Sequence, residues 1–109
     1  MVSQRPHLIK RKEIEQICQD FRIQQLDLFG SALQDEESAR DYDFLVNLGD
    51  CPRGTMLKTY IDLADALEDL LGKPVDLITE GSLKNPYFRK QVLDERQTIY
   101  AKPQGKALL

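Results

Sequence analysis

Asp41 and Asp43 stand two residues apart in Asp41-Tyr42-Asp43, at the head of a run, Tyr42 to Leu48, in which Phe44, Val46 and Leu48 recur at every second position. A strand turns alternate side chains to the same face, so the two carboxylates share the face opposite those apolar residues. A third carboxylate, Asp76, interrupts the short apolar run Val75-Asp76-Leu77-Ile78. Two like charges about 5 Å apart repel by roughly 3 kcal/mol at an effective dielectric near 20, so converging carboxylates are a liability unless a cation joins them. Magnesium and similar hard cations take oxygen ligands, usually one or two protein carboxylates together with the phosphate oxygens of a substrate. Gly30-Ser31 supplies the complementary feature directly after an apolar strand and at the start of a helical turn. Without a glycine side chain, backbone N–H groups there can meet a phosphate. The combination points to metal-assisted phosphoryl or nucleotidyl transfer.

The elements that must position these residues follow from periodicity. Ile14, Ile17, Cys18 and Phe21 recur at i, i+3, i+4 and i+7, which predicts an amphipathic helix over residues 10–21 with Cys18 facing the core. A strand is expected over Ile23 to Phe29, where Leu26 and Leu28 alternate with Gln25 and Asp27, and a short stretch of poorly apolar residues, 32–39, leads to the strand Tyr42 to Leu48. The cluster Gly49-Asp50-Cys51-Pro52-Arg53-Gly54 reads as a loop. A long helix then carries Leu57, Tyr60, Ile61, Ala64, Leu67 and Leu71 on one stripe and is closed by Gly72 and Pro74. The strand 75–78 sets Val75 and Leu77 against one side and Asp76 and Ile78 against the other. After a loop from Gly81 to Pro86, a helix from about Tyr87 to Arg96 and a strand from Thr98 to Ala101 complete the body, with residues 102–109 as a tail. The order predicts an α/β (α+β) fold, a small mixed sheet with helices packed on it, in one domain spanning 1–109 with a core of about 10–101.

Composition excludes several classes. The chain has 109 residues, 15 basic and 18 acidic, for a net charge of -3. No apolar run reaches the roughly 18 to 20 residues of a membrane span, and the first residues lack a signal peptide's apolar core, so a cytoplasmic protein with no membrane association is expected. Two cysteines, Cys18 and Cys51, and one histidine support neither a zinc site nor a disulfide scaffold. Residues 1–12 hold four basic groups and no acidic one, residues 13–80 hold 16 acidic and five basic, and residues 81–109 hold six basic and two acidic. An acidic body argues against direct nucleic-acid binding, which rests mostly on neutralised phosphates. The basic ends suit an anionic small molecule or are simply solvated.

Leu-Phe-Gly30-Ser31, nine intervening residues, Asp41-x-Asp43 and a later Val75-Asp76-Leu77-Ile78 resemble the minimal nucleotidyltransferases of the DNA polymerase beta superfamily. The resemblance covers roughly residues 10–101. It implies a nucleotidyltransferase fold in which Gly30 and Ser31 bind the triphosphate of ATP and Asp41, Asp43 and Asp76 hold two Mg2+ ions, Asp76 also helping to activate the acceptor. It also implies a partner, a HEPN-domain ribonuclease toxin, to whose tyrosine the chain as antitoxin transfers AMP. Where the family often reads Gly-Ser-x-Ala-Arg-Gly, this chain carries Gln34 and Asp35 in place of the Arg and Gly, and Arg40 replaces the Ser before the Asp pair. A phosphate-facing cation is thereby lost, with Arg40, Lys84, Arg89 or Lys90 as possible substitutes and Arg40 taken as nucleotide-binding. A non-catalytic antitoxin that acts by covering its toxin is the alternative. Aminoglycoside modification is disfavoured, since those larger relatives carry an additional helical domain.

Other residues have plainer readings. His7 has no obvious partner, and Cys51 has no neighbour that would activate a thiol. Tyr60 and Ile61 read as core. Tyr87 and Phe88 border the nucleotide base or pack a helix start, and the basic stretch Lys84 to Lys90 is either a solvated face or a guide for triphosphate.

Overall fold

The computed structural model describes residues 8–103; His7 and most of the tail lie outside them. The chain runs α1 (Arg11–Asp20), β1 (Gln25–Phe29), α2 (Ser31–Gln34), β2 (Tyr42–Asn47), α3 (Met56–Leu71), β3 (Val75–Thr79), a 3-10 turn (Glu80–Ser82), α4 (Pro86–Glu95) and β4 (Gln97–Ala101). The four strands form one mixed sheet in the order β3-β2-β1-β4. β1 is antiparallel to both β2 and β4, whereas β2 and β3 are parallel. A parallel pair needs a crossover, and α3 supplies it. The expected α/β architecture is therefore present.

Strand alternation divides the interior in two. Leu26, Leu28, Phe44, Val46, Leu77 and Ile99 face α1 and α3, meeting Ile14, Cys18, Leu63 and Leu67 in the larger core. On the opposite face Phe29, Leu45, Leu83 and Val92 form a smaller core under α4, joined by Ile78 and Leu93. The face bearing Asp43 and Asp76 is thus the α4 face, covered by the smaller of the two cores.

Helix boundaries follow ordinary stop and start chemistry. α3 ends at Gly72, whose φ of 72° accepts the left-handed cap and whose N–H donates to Glu68 O at 2.8 Å. α4 begins with Asn85, whose side-chain oxygen accepts from the N–H groups of Tyr87 and Phe88 at 2.9 and 3.2 Å, followed by Pro86 at the first position. The apolar stripe of α3 corrects the expected one. Tyr60, Leu63, Ala64, Leu67, Leu70 and Leu71 pack inward, while Leu57 is 69% and Ile61 48% exposed. Cys18 is buried, which pushes its thiol up to about 12, and Cys51 is half-buried; both are free thiols. Lys102, expected in the tail, still donates its N–H to Gln24 O at 2.8 Å. Among the described residues no helix is long and apolar enough to cross a membrane.

Candidate active site

Gly30 leaves β1 with φ 78° and ψ -157°, a conformation essentially closed to residues with a Cβ. A Cβ built there would stand 2.4 Å from Oδ2 and 3.2 Å from Cγ of Asp43. The missing side chain is what lets the turn and the carboxylate occupy the same place. Phe29, the residue before the turn, pairs with Asp43 across β1 and β2, and Asp43 in turn pairs with Asp76 across β2 and β3. The register therefore sets the turn, Asp43 and Asp76 side by side on neighbouring strands.

These groups share a cavity of about 230 Å³. Phe29, Gly30, Asp43, Asp76 and Ile78 line it from the sheet, and Phe88, Gln91, Val92 and Glu95 wall it from α4. Asp43 is half-buried, and its carboxyl is raised above the ordinary 3.8 first by burial and then by the charges of Asp41 and Asp76. That ordering identifies a carboxylate whose charged form lacks compensation, with two anions close enough to feel it. A cation would supply the compensation.

Among the described residues no three His, Cys, Asp or Glu side chains close into a ready metal cage. The donor set nonetheless fits magnesium, which commonly takes one or two carboxylates and completes its octahedron with water and substrate phosphate. Asp41 lies half-buried in the bend before β2, while Asp76 is exposed on β3. A larger groove of about 530 Å³ separates α1 from β4, but Glu15, its one carboxylate, is already paired with Arg11 at 3.0 Å.

The other expected phosphate-site residues, Ser31 and Arg40, do not line this cavity. Ser31 is exposed as the first residue of α2, and Arg40 is exposed just before Asp41. Of the four candidate substitute cations, Arg89 is held by Glu80 at 2.9 Å and Lys90 by Asp94 at 2.8 Å. Arg40 and Lys84 have no ion pair among the described residues. Tyr87 is 85% exposed and stands outside the cavity, whereas Phe88, 44% exposed, is part of its wall. Gln91 and Glu95 went unnoticed in the sequence, although their positions at i+3 and i+7 from Phe88 put them on its helix face. Asp27 was also missed as a buried group. It is 2% exposed, accepts from Gln25 Nε2 at 3.0 and 3.1 Å, and pairs with Arg96 at 3.0 Å.

Comparison with known proteins bears on the family and the fold. A protein of Methanocaldococcus jannaschii provisionally described as a protein adenylyltransferase is 36% identical over 93 residues, covering 84% of this chain and 90% of its own. The protein adenylyltransferase MntA of Thermococcus cleftensis is 34% identical over 87 residues, 79% of this chain and 82% of the other. Among solved structures, a toxin-antitoxin with AMP-PNP superposes at a TM-score of 0.63 with 22% identity, covering 88% of this chain and 77% of that one. A tri-AMPylated Shewanella oneidensis HEPN toxin in complex with MNT antitoxin aligns at 0.60 with 22% identity, over 86% and 71% of the two chains. At that identity the structural likeness establishes the fold. The model of the family "Polymerase beta, Nucleotidyltransferase" matches residues 12–105, and with relatives above 30% identity over most of its length the chain belongs to that nucleotidyltransferase family.

Proposed function

We propose that this chain is an antitoxin that moves AMP from ATP onto a tyrosine hydroxyl of a HEPN-domain toxin, in the cytosol and with two Mg2+ ions, through a single nucleotidyltransferase domain. The observation that carries the reading is the contact of Gly30 with Asp43, whose Oδ2 lies 2.4 Å from where a Cβ would be, beside Asp76 on the next strand. A turn suited to phosphate and a charge-strained carboxylate are useful together when a metal-bound triphosphate spans them. The names of the adenylyltransferase relatives and of the structures holding AMP-PNP or an AMPylated HEPN toxin support the donor and the partner.

In this reaction the acceptor oxygen attacks the α-phosphorus, the bond from that phosphorus to the oxygen bridging to the β-phosphate breaks, and pyrophosphate leaves with the electron pair. Magnesium, when bound, neutralises the phosphate charge that builds up on the way. Asp41, Asp43 and Asp76 would hold the two ions. Asp76, on the strand farther from the Gly30 turn, would take the acceptor's proton, and Gly30 with Ser31 would orient the β- and γ-phosphates. Arg40 is the cation we assign to the triphosphate, since it is exposed beside Asp41 and has no ion pair among the described residues.

The test is an acceptor-mass measurement. Incubating the chain with Mg-ATP and a HEPN protein should add one or more AMP units to a tyrosine of that protein, and Asp43→Asn should abolish the addition. One observation favours the non-catalytic reading: α2 ends in exposed Gln34 and Asp35, leaving an anion where a cation would serve triphosphate. An unchanged partner mass together with tight complex formation would establish that alternative.

A further inference from the structure

Tyr42 lies between Asp41 and Asp43 and points the opposite way, into the core shared with α1 and α3. Whatever fixes Tyr42 fixes the direction of both carboxylates. Its N–H donates to Pro74 O at 3.0 Å, its hydroxyl donates to the Glu36 carboxylate, and its ring stacks on Phe44 at 5.9 Å. Glu36 uses its other oxygen to accept the N–H of Ile9 at 3.1 Å.

Lys73 ties this arrangement together. Its ammonium donates to three main-chain carbonyls, Glu36 O at 2.9 Å, Glu37 O at 3.3 Å and Ala39 O at 2.7 Å, and sits 5.8 Å from the centre of the Tyr42 ring. An ammonium has three donors, so all are engaged by one loop. That loop, residues 36–39, runs from the phosphate turn and α2 to Asp41. Lys73 itself stands three residues before Asp76. One side chain therefore joins the segment that delivers Asp41 and Asp43 to the segment that delivers Asp76, across 34 to 37 residues of chain.

We propose that Lys73 is a positioning residue for the carboxylate site, holding loop 36–39 so that Asp41 and Asp43 meet Asp76 in a geometry a metal-bound nucleotide can use. The proposal rests on the adenylyl-transfer reading for its chemistry, but the tether itself is a property of the metal-free chain. A lysine that served only stability would clamp any part of the fold equally well. Among the described residues, the hydrogen bonds of this ammonium all go to the loop leading into the site, and it faces the ring between the two carboxylates.

The test pairs Lys73→Met, which keeps the aliphatic stem, with Lys73→Arg, which restores charge and donors. In the metal-free chain, Lys73→Met should speed amide hydrogen exchange of residues 36–43 at least tenfold relative to α3. The magnesium concentration giving half-maximal thermal stabilisation with AMP-PNP should rise at least tenfold, and Lys73→Arg should recover most of both effects. Tyr42→Phe, which removes only the hydroxyl, should move both readouts the same way by about threefold and serves if Lys73→Met does not fold. A lower melting temperature with unchanged exchange in 36–43 and an unchanged magnesium midpoint would reduce Lys73 to a general stabiliser and overturn the proposal. If the parent shows no magnesium-nucleotide stabilisation, the adenylyl-transfer reading fails, and with it the proposal's role for Lys73 at the site; local exchange then reports whether the tether alone survives.

Discussion

The Asp43 carboxyl is raised above its ordinary 3.8 by burial and by its neighbours Asp41 and Asp76, so its ionisation costs the folded chain stability. Between the unfolded value and the raised folded one, the native state holds the proton more tightly than the unfolded state does. Stability conferred by protonated Asp43 is accordingly lost as pH rises through that window and stays lost at neutral pH. In metal-free protein Asp43→Asn should raise the neutral-pH melting temperature and remove this part of the acid-side slope, while abolishing stabilisation by magnesium with AMP-PNP. Thermal melts across the acidic range, with and without magnesium, check it; a lower metal-free midpoint would place the three carboxylates too far apart to repel. Gly30 makes a different demand. Its φ and ψ lie where a side chain costs about 1–3 kcal/mol, and a Cβ would strike the Asp43 carboxylate. Gly30→Ala should therefore both lower stability by that amount in urea melts and weaken AMP-PNP binding in calorimetry. Full affinity would remove the turn from the phosphate site.

At the scale of elements, α2 is where this chain departs from the family pattern. Gln34 closes the four-residue helix and Asp35 caps it in extended backbone, both exposed, so neither side chain is needed for packing. A charge-assisted hydrogen bond to phosphate is worth roughly 1.5–3 kcal/mol. Gln34→Arg with Asp35→Gly should tighten ATP binding about ten- to hundredfold, the equivalent of 1.4–2.8 kcal/mol, as read by titration calorimetry. No gain beside tight parent binding would mean that a cation such as Arg40 already fills the position, and no detectable binding by either form would mean that the site does not take triphosphate and would favour the non-catalytic antitoxin. Much of the element order was legible because β1, β2 and β3 alternate and α1 keeps a helical period. The phase of α3 was not. Leu57 and Ile61 are as apolar as Leu63 and Leu70, and only packing shows that the latter two face inward. Leu57 and Ile61 belong to the half of the helix surface that packs against nothing among the described residues, and the apolar residues on it carry no mark that separates them from the buried ones. Asp41, Asp43, Asp76 and Gly30 could be read from type and spacing. Glu95 left only its place on the helix face of Phe88, and Lys73 left no local trace, because its relation to the site passes through tertiary contacts.

For the molecule as a whole, the decisive long-range contact joins the first strand to the last. β4 pairs with β1, and at the junction of α4 and β4 Arg96 reaches across 69 positions to Asp27 at 3.0 Å. The Asp27 side chain is 2% exposed and keeps only Gln25 as another hydrogen-bond partner among the described residues, so this pair pins both the sheet edge and the end of α4 that walls the candidate-site cavity. Breaking a buried pair by removing one partner typically costs about 3–5 kcal/mol, because the remaining charge is left without compensation. Arg96 is partly exposed and Gln25 remains, which puts Arg96→Met at the lower end, about 3 kcal/mol in urea melts. Replacing both partners, Asp27→Leu with Arg96→Met, should recover most of that loss, since an apolar pair of similar volume is often neutral. The double-mutant cycle separates the pair's coupling from the packing of each side chain. AMP-PNP stabilisation should follow the same order, weakest in Arg96→Met and restored in the double variant, because Glu95 and Val92 hold the cavity wall only while the end of α4 is anchored. An unchanged midpoint in Arg96→Met would show instead that Val92 and its apolar neighbours seat α4 without the ion pair.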